Sequence, residues 1–382
     1  MRLLLVDDEP RILSGLSRAL RTSGSREWDV ATATSGDEAL ARLTEAPADV
    51  VMSDVNMPGM DGPTLLGEVR KRWPEVVRLV LSGYADLMAS QKLAAVAHQF
   101  FDKPLRIADL VDSLRRIERL RARFAEPSLR ALIGGIGELP AAPSVFVELS
   151  AIVEDPTATL DDITRVVRKD PAVSAQVLHL ASSAFYARGG PIADLRGAIG
   201  RIGGRIVRMV ALSAAAFRPP PKVAAMVDRI QAHSLAAGLL AEQIVGDPDH
   251  REAAFVSGLL SDLGMMALVT WMPDRYLPLL SAWSSEPIHV REKAELGVTH
   301  ADVGAYLLGL WGLPRNVVEA VSSHHDPTAI GEPACDPTMA AYVAHALLAD
   351  EPVDELYLAR CGVTDRLARW RSLVSDVSRT AP

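Results

Sequence analysis

Only two cysteines, Cys335 and Cys361, occur in 382 residues. They form neither a disulfide framework nor a Cys-x-x-Cys metal clip, a supply that suits a reducing cytoplasm. An excess of positive charge is also missing: the net charge is −8, whereas a polyanion ligand needs clustered cations to neutralise its phosphates. Nucleic acid is therefore not expected as the main ligand. No run approaches about 18 unbroken apolar residues. The opening "MRLLLVDDEP" is too short for a signal core before it meets two carboxylates, so a cytoplasmic protein with no membrane partner is expected. "GRIGGR" lacks the Lys-Ser/Thr of a phosphate-binding loop, and no repeat of fixed period is present. At about 150 residues per domain the chain holds two or three domains, two being the first expectation.

What is present falls into two styles. Over the first 120 residues, short strand-like runs ("RLLLV", "DVATA", "DVVMS", "VRLVLS", "QFF") alternate with helical patterns. Five such alternations predict a parallel sheet covered on both faces, and ligands of such sheets bind beyond the carboxyl ends of the strands. Chemistry-bearing residues stand at those ends: Asp7 and Asp8 after the first strand, Asp54 at the end of the third, Ser82 of the fourth and Lys103 of the fifth. Crowded carboxylates repel unless a hard cation sits among them, and Mg²⁺, which takes carboxylates, waters and a phosphoryl oxygen, fits. Asp54 is then the nucleophile toward a phosphoryl donor. Lys103 and the cation neutralise charge on the transferring oxygens, and Ser82 hydrogen-bonds the new phosphoryl group.

Residues 1–120 resemble the response-regulator receiver domain, which implies a flavodoxin-like (βα)5 fold. The resemblance makes Asp7 and Asp8 the metal pair, Asp54 the phosphoacceptor, the Asn56 backbone carbonyl a further metal ligand, Ser82 the switch hydroxyl, Lys103 the phosphate-sensing lysine and Phe100 the aromatic switch. It also implies a cis bond at Lys103-Pro104. Ile107, Leu110, Leu114, Ile117 and Phe124 follow a three-four spacing. Two readings stand: packing on the receiver's own sheet with a solvated connector over 121–128, or a short coiled coil joining a homodimer.

From about residue 129 to 382 strand patterns stop, and helical patterns are punctuated by prolines at helix starts and stops. The expected class is all-α, with Trp271, Trp283 and Trp311 as core anchors. The phrases "RKDPAVSAQVLHLASSAFY", "SGLLSDLG", "HADVGAYLLGLWGLP" and "AVSSHHDP" resemble the HDOD domain, a relative of the HD phosphohydrolases. "FVSGLLSDLGMMALV" reads as one apolar helix carrying Ser261 and Asp262 side by side. Compared with catalytic HD enzymes, the resemblance makes His233 the first ligand, Asp262 half of the His-Asp pair, His300, His324 and His325 the later histidines, and His345 the counterpart of the last aspartate. Ser261 stands where the pair's histidine belongs, and the Gly-Tyr-Pro signature of relatives that cleave cyclic dinucleotides is missing after His325. Helix capping by His324 and His325, and a metal-free Asp262–imidazole pair, are competing readings of these residues.

The resulting expectation is a two-component response regulator, not an enzyme. A sensor histidine kinase or phosphotransfer protein phosphorylates Asp54, and a non-catalytic HDOD module with no metal binds an unidentified output protein. The alternative is a receiver-gated, metal-dependent HD-type phosphohydrolase or phosphodiesterase.

Overall fold

The computed structural model describes residues 1–23, 28–82, 96–123, 127–136, 145, 148–149, 152, 155, 157–182, 192, 194–204, 206–208, 210–211, 219–281, 286–329 and 334–380. Contacts divide the chain into two compact units: Met1–Gly137 with Ser182–Gly190 and Gly309–Gly312, and the remainder.

In the first unit β1 (Arg2–Val6), α1 (Pro10–Ser23), β2 (Asp29–Ala33), α2 (Gly36–Glu45), β3 (Val50–Asp54), α3 (Gly62–Arg72), β4 (Val77–Ser82), β5 (Gln99–Asp102), α4 (Ile107–Arg123) and α5 (Pro127–Gly135) follow in order. The strands form one sheet in the order β2-β1-β3-β4-β5, every pair parallel. Period-two alternation sorts its side chains. Leu4, Val6, Val51, Val80 and Phe100 join Leu65, Leu66 and Val69 of α3 in one core layer. Leu3, Leu5, Val50, Met52 and Leu79 face Leu110 and Leu114 of α4. Leu110, Leu114 and Ile117 are thus buried inside the unit, and Phe124 lies outside the described residues.

Asp54 is seated by a close approach behind it. A Cβ on Gly62 would stand 2.1 Å from the Asp54 carbonyl oxygen, so only glycine lets α3 start there, with Asp61 capping it through the Thr64 N–H at 2.8 Å. The Lys103-Pro104 bond is cis.

The second unit is helical: α6 (Leu160–Val167), α7 (Pro171–Ser182), α8 (Leu195–Ile202), α9 (Ala224–Ile244), α10 (Pro248–Leu260), α11 (Leu263–Trp271), α12 (Pro273–Ser281), α13 (Ile288–Leu296), α14 (His300–Leu310), α15 (Arg315–Ser323), α16 (Pro337–Leu348), α17 (Glu355–Arg360) and α18 (Leu367–Thr380). Pro248 and Pro337 open their helices behind the capping residues Asp247 and Asp336, where a missing N–H costs nothing. Leu240, Ala241 and Ile244 of α9, Ala254 of α10 and Met339 and Val343 of α16 share a core. Pro248–Trp271 is long and apolar enough to cross a membrane by length and composition, but 89% of its apolar window is buried in this unit. Trp311 is buried, Trp271 is 39% exposed and so is not the core anchor expected, and Trp283 lies outside the described residues.

The apolar run is not one helix. Ser261 turns its hydroxyl onto the Gly258 carbonyl at 2.8 Å, ending α10, and Asp262 leaves helical geometry at φ −95° and ψ 13° before α11. That break lets the Asp262 carboxylate leave the helix axis. Gly264 then allows α11 to meet α14: a Cβ there would stand 1.9 Å from the His300 carbonyl oxygen and 2.6 Å from the Gly304 nitrogen.

Candidate functional site

At the carboxyl edge of the sheet, Asp7 and Asp54 are 2% and 8% exposed. Lys103 Nζ lies 2.7 Å from Asp54 Oδ1 and 3.3 Å from Asp7 Oδ2, and Asp7 Oδ1 accepts the Glu9 N–H at 2.8 Å. Burial, with Asp7 adding to it, raises the Asp54 pKa against the pull of Lys103. Burial opposes the Lys103 charge, yet Asp54 and Asp7 raise its pKa. Asp8 and Asn56 are exposed, Phe100 is buried, and Ser82 is fully buried. Among the described residues, nothing hydrogen-bonds Ser82 Oγ. Two carboxylates sharing one ammonium, with Asp8 next in the chain and an unbonded hydroxyl at the end of β4, fit a hard cation and an arriving phosphoryl group.

The second site is built around Asp262, 2% exposed. Its Oδ1 lies 3.5 Å from His300 Nε2, 3.6 Å from His345 Nε2 and 3.9 Å from His324 Nε2, and its Oδ2 lies 3.5 Å from His233 Nε2. His300 Nε2 is 3.2 Å from His324 Nε2 and 3.0 Å from His325 Nε2. Ligand atoms of His300, His324, His325 and His345 lie within 4.8 Å of one another, as do those of His233, Asp262 and His345. The donors come from α9, the α10–α11 turn, the first residue of α14, the end of α15 and α16. His233, with 32% of its side chain exposed, and His325 are the half-buried members of the set.

Hydrogen bonds on the outer side of two rings decide which nitrogens face inward. His324 Nδ1 lies 2.7 Å from the Val321 carbonyl oxygen, which can only accept. His300 Nδ1 lies 2.8 and 2.9 Å from the two Glu292 oxygens. Both Nδ1 atoms therefore carry a proton, and the two Nε2 atoms face each other at 3.2 Å. A proton on His300 Nε2 bridges that gap in the absence of a metal, and a bound cation would replace it.

Donors about 2.1 Å from one tetrahedral ion stand about 3.4 Å apart, close to the spacing among His300, His324 and Asp262. The charges agree. Burial would raise the Asp262 pKa, but the imidazoles, His345 foremost, hold it well below the carboxylate range. Burial and then neighbouring rings lower His324 and His325. Burial opposes charge on His300, yet Glu292 and Asp262 raise its pKa to about 10. Positive charge is thus favoured beside Asp262: without a metal His300 itself carries it, and a bound cation would take its place by displacing that proton.

Expectations drawn from the sequence need correction here. The second domain was expected to hold no metal and to be non-catalytic, because Ser261 replaces a ligand. Ser261 does face away, toward the Gly258 carbonyl, but five histidines and Asp262 still converge. One lost imidazole is offset by donors from distant helices, so the reading of an incomplete site is overturned and the non-enzymatic reading falls with it. The helix-end reading of His324 holds alongside the ligand reading, since one nitrogen bonds a terminal carbonyl while the other faces the centre. Sequence reasoning missed Glu292, Tyr276 and His289, whose ring stacks on His325 at 4.1 Å. Nothing in their spacing marks them.

The fold and sites define a phosphoacceptor module of the doubly wound α/β class followed by a histidine-lined helical bundle. The description "Response regulator receiver domain" matches residues 3–115 and "HDOD domain" matches 139–327. The chain thus carries an N-terminal receiver domain and a C-terminal HDOD domain. Similar curated proteins include the hydrogenase transcriptional regulatory protein HoxA of Cupriavidus necator, 34% identical over 47% of this chain and 39% of that protein. Another is the transcriptional regulatory protein PrrA of Mycobacterium bovis, 36% identical over 35% of this chain and 57% of that protein. In neither case does the match reach two thirds of the relative's own length. Among solved structures, the MmoQ response regulator of Methylococcus capsulatus is 24% identical, covering 61% of this chain and 98% of that chain at a TM-score of 0.49.

Proposed function

We propose that the chain is a receiver-gated, metal-dependent phosphohydrolase of the HD type. A sensor histidine kinase or phosphotransfer protein is the phosphoryl donor. An Asp54 carboxylate oxygen attacks the phosphorus, and the bond to the donor breaks as the aspartyl phosphate forms. Lys103, already against Asp54 and Asp7, meets the charge on the phosphoryl oxygens, and Ser82 offers its hydroxyl. Asp7, Asp8, Asp54 and the Asn56 carbonyl would hold Mg²⁺, which supplies charge neutralisation there.

In the HDOD domain His300, His324, His325, His345, His233 and Asp262 would hold a divalent transition ion, which supplies Lewis acidity toward a phosphate ester. A donor set richer in imidazole than in carboxylate selects a transition metal over Mg²⁺. The half-buried His233 and His325 mark the sides from which a substrate can enter. A phosphate mono- or diester is the substrate class, and the missing Gly-Tyr-Pro signature sets the chain apart from relatives that cleave cyclic dinucleotides.

The observation that carries this reading is the pair of inward Nε2 atoms of His300 and His324, 3.2 Å apart beside Asp262. The test is metal content and hydrolysis of nitrophenyl phosphate mono- and diesters by the full chain, beside Asp262→Ala and His300→Ala. Bound transition metal and turnover in the parent, both lost in the variants, are expected. A parent that takes up no metal, or turnover indifferent to these substitutions, overturns it.

A further inference from the structure

Glu292 has no exposed surface, and its carboxylate bonds His300 and Tyr276. Oε2 accepts the His300 backbone N–H at 2.8 Å, both oxygens stand within 2.9 Å of His300 Nδ1, and the buried Tyr276 hydroxyl donates to Oε1. The local chain is built for this. α13 ends on Gly297, in the left-handed region at φ 77°, which reverses the chain so that α14 starts beside α13. Thr299 and Asp302 then exchange bonds at 3.1 Å across the start of α14, the reciprocal pattern of a capped helix entry. Together they bring His300 back onto a glutamate eight residues earlier.

A buried carboxylate is a costly way to fill space, since well-packed apolar groups often serve stability as well or better. Its distinctive property is that it can only accept. We infer that Glu292, steadied by Tyr276, is a positioning residue: it holds a proton on His300 Nδ1 and turns Nε2 toward Asp262 and His324. An amide in its place can rotate and offer N–H to Nδ1, which would put the proton on Nε2 and aim it at the centre. Removing the carboxylate behind a triad histidine disables it through the same wrong tautomer, and outer-sphere partners of metal-binding histidines typically change affinity by about 10- to 100-fold. This role rests on the metal-centre reading only for its effect on metal affinity; the tautomer itself does not depend on it.

The experiment uses the full chain as parent, Glu292→Gln and Glu292→Asp, with His300→Gln to assign the His300 Nδ1–H signal. Proton–nitrogen NMR follows that N–H, which exists whether Nε2 is free, protonated or metal-bound, and Zn²⁺ competition titrations measure affinity. The parent is expected to show a strongly downfield, slowly exchanging Nδ1–H. In Glu292→Gln that signal moves upfield or vanishes and Zn²⁺ binds about 10- to 100-fold more weakly, while the metal-free variant keeps a cooperative thermal transition. Glu292→Asp, retaining the charge on a shorter stem, restores part of both readouts and serves alone should the Gln variant fail to fold. An unchanged Nδ1–H and unchanged Zn²⁺ affinity in both variants overturn the inference. A parent with the expected N–H that takes up no Zn²⁺ supports the role of Glu292 and removes the metal centre.

Discussion

Single side chains decide whether each site can work. Asp54 and Lys103 lie 2.7 Å apart because each stands at a strand end on the same sheet edge, and strand ends are readable from alternating patterns. Asp262 and His300 lie 3.5 Å apart for a reason no local pattern records: a glycine at 264 removes the Cβ that would keep α11 off α14. Gly264→Ala therefore attacks the centre without touching a ligand. With 1.9 Å to the His300 carbonyl, the helices must part, and overpacking of this kind costs about 1–3 kcal/mol. An unfolding free energy lowered to that extent in denaturant titrations, with reduced metal content, is expected. Full metal content at unchanged stability would show that the close approach does not position His300.

Elements are held by their ends as much as by their faces. At the start of α2, Ser35 accepts the Glu38 N–H at 3.2 Å while Glu38 Oε2 accepts the Thr34 N–H at 2.7 Å. The Thr34 backbone bond first, and Arg42 next, lower the Glu38 pKa from 4.5 to about 2. A carboxylate with a depressed folded-state pKa stabilises above its unfolded value and loses that contribution as pH falls through the folded value. The gap in thermal midpoint between parent and Glu38→Gln is thus expected to be complete above pH 4.5 and to close as pH falls toward about 2. A gap that stays constant across this range would remove the charge-assisted cap from the account. Such capping pairs are legible in sequence because their partners lie three or four residues apart. The break of the apolar run at Ser261 and Asp262 was not, since an internal Ser-Asp pair fits a buried helix as well as a turn until the carboxylate's partners are known.

For the whole molecule, the proposed function requires that charge placed on Asp54 alter the helical domain's chemistry. Beryllofluoride with Mg²⁺, which mimics the phosphorylated receiver, is expected to change metal-dependent phosphoesterase turnover by about 5- to 150-fold, the range of ordinary coupling energies. In Asp54→Asn that response disappears while basal turnover remains. Equal turnover in every receiver state would sever the gate from the enzyme.

The sequence by itself determined the two domain classes, because periodicity and strand-end acids are local in the chain. It also marked each histidine that the helical domain brings inward around Asp262. Only the tertiary structure decided that these histidines meet, that Glu292 stands behind one of them and that a missing imidazole does not empty the site. Donor convergence depends on helix crossings, and the residues that meet there lie far apart along the chain.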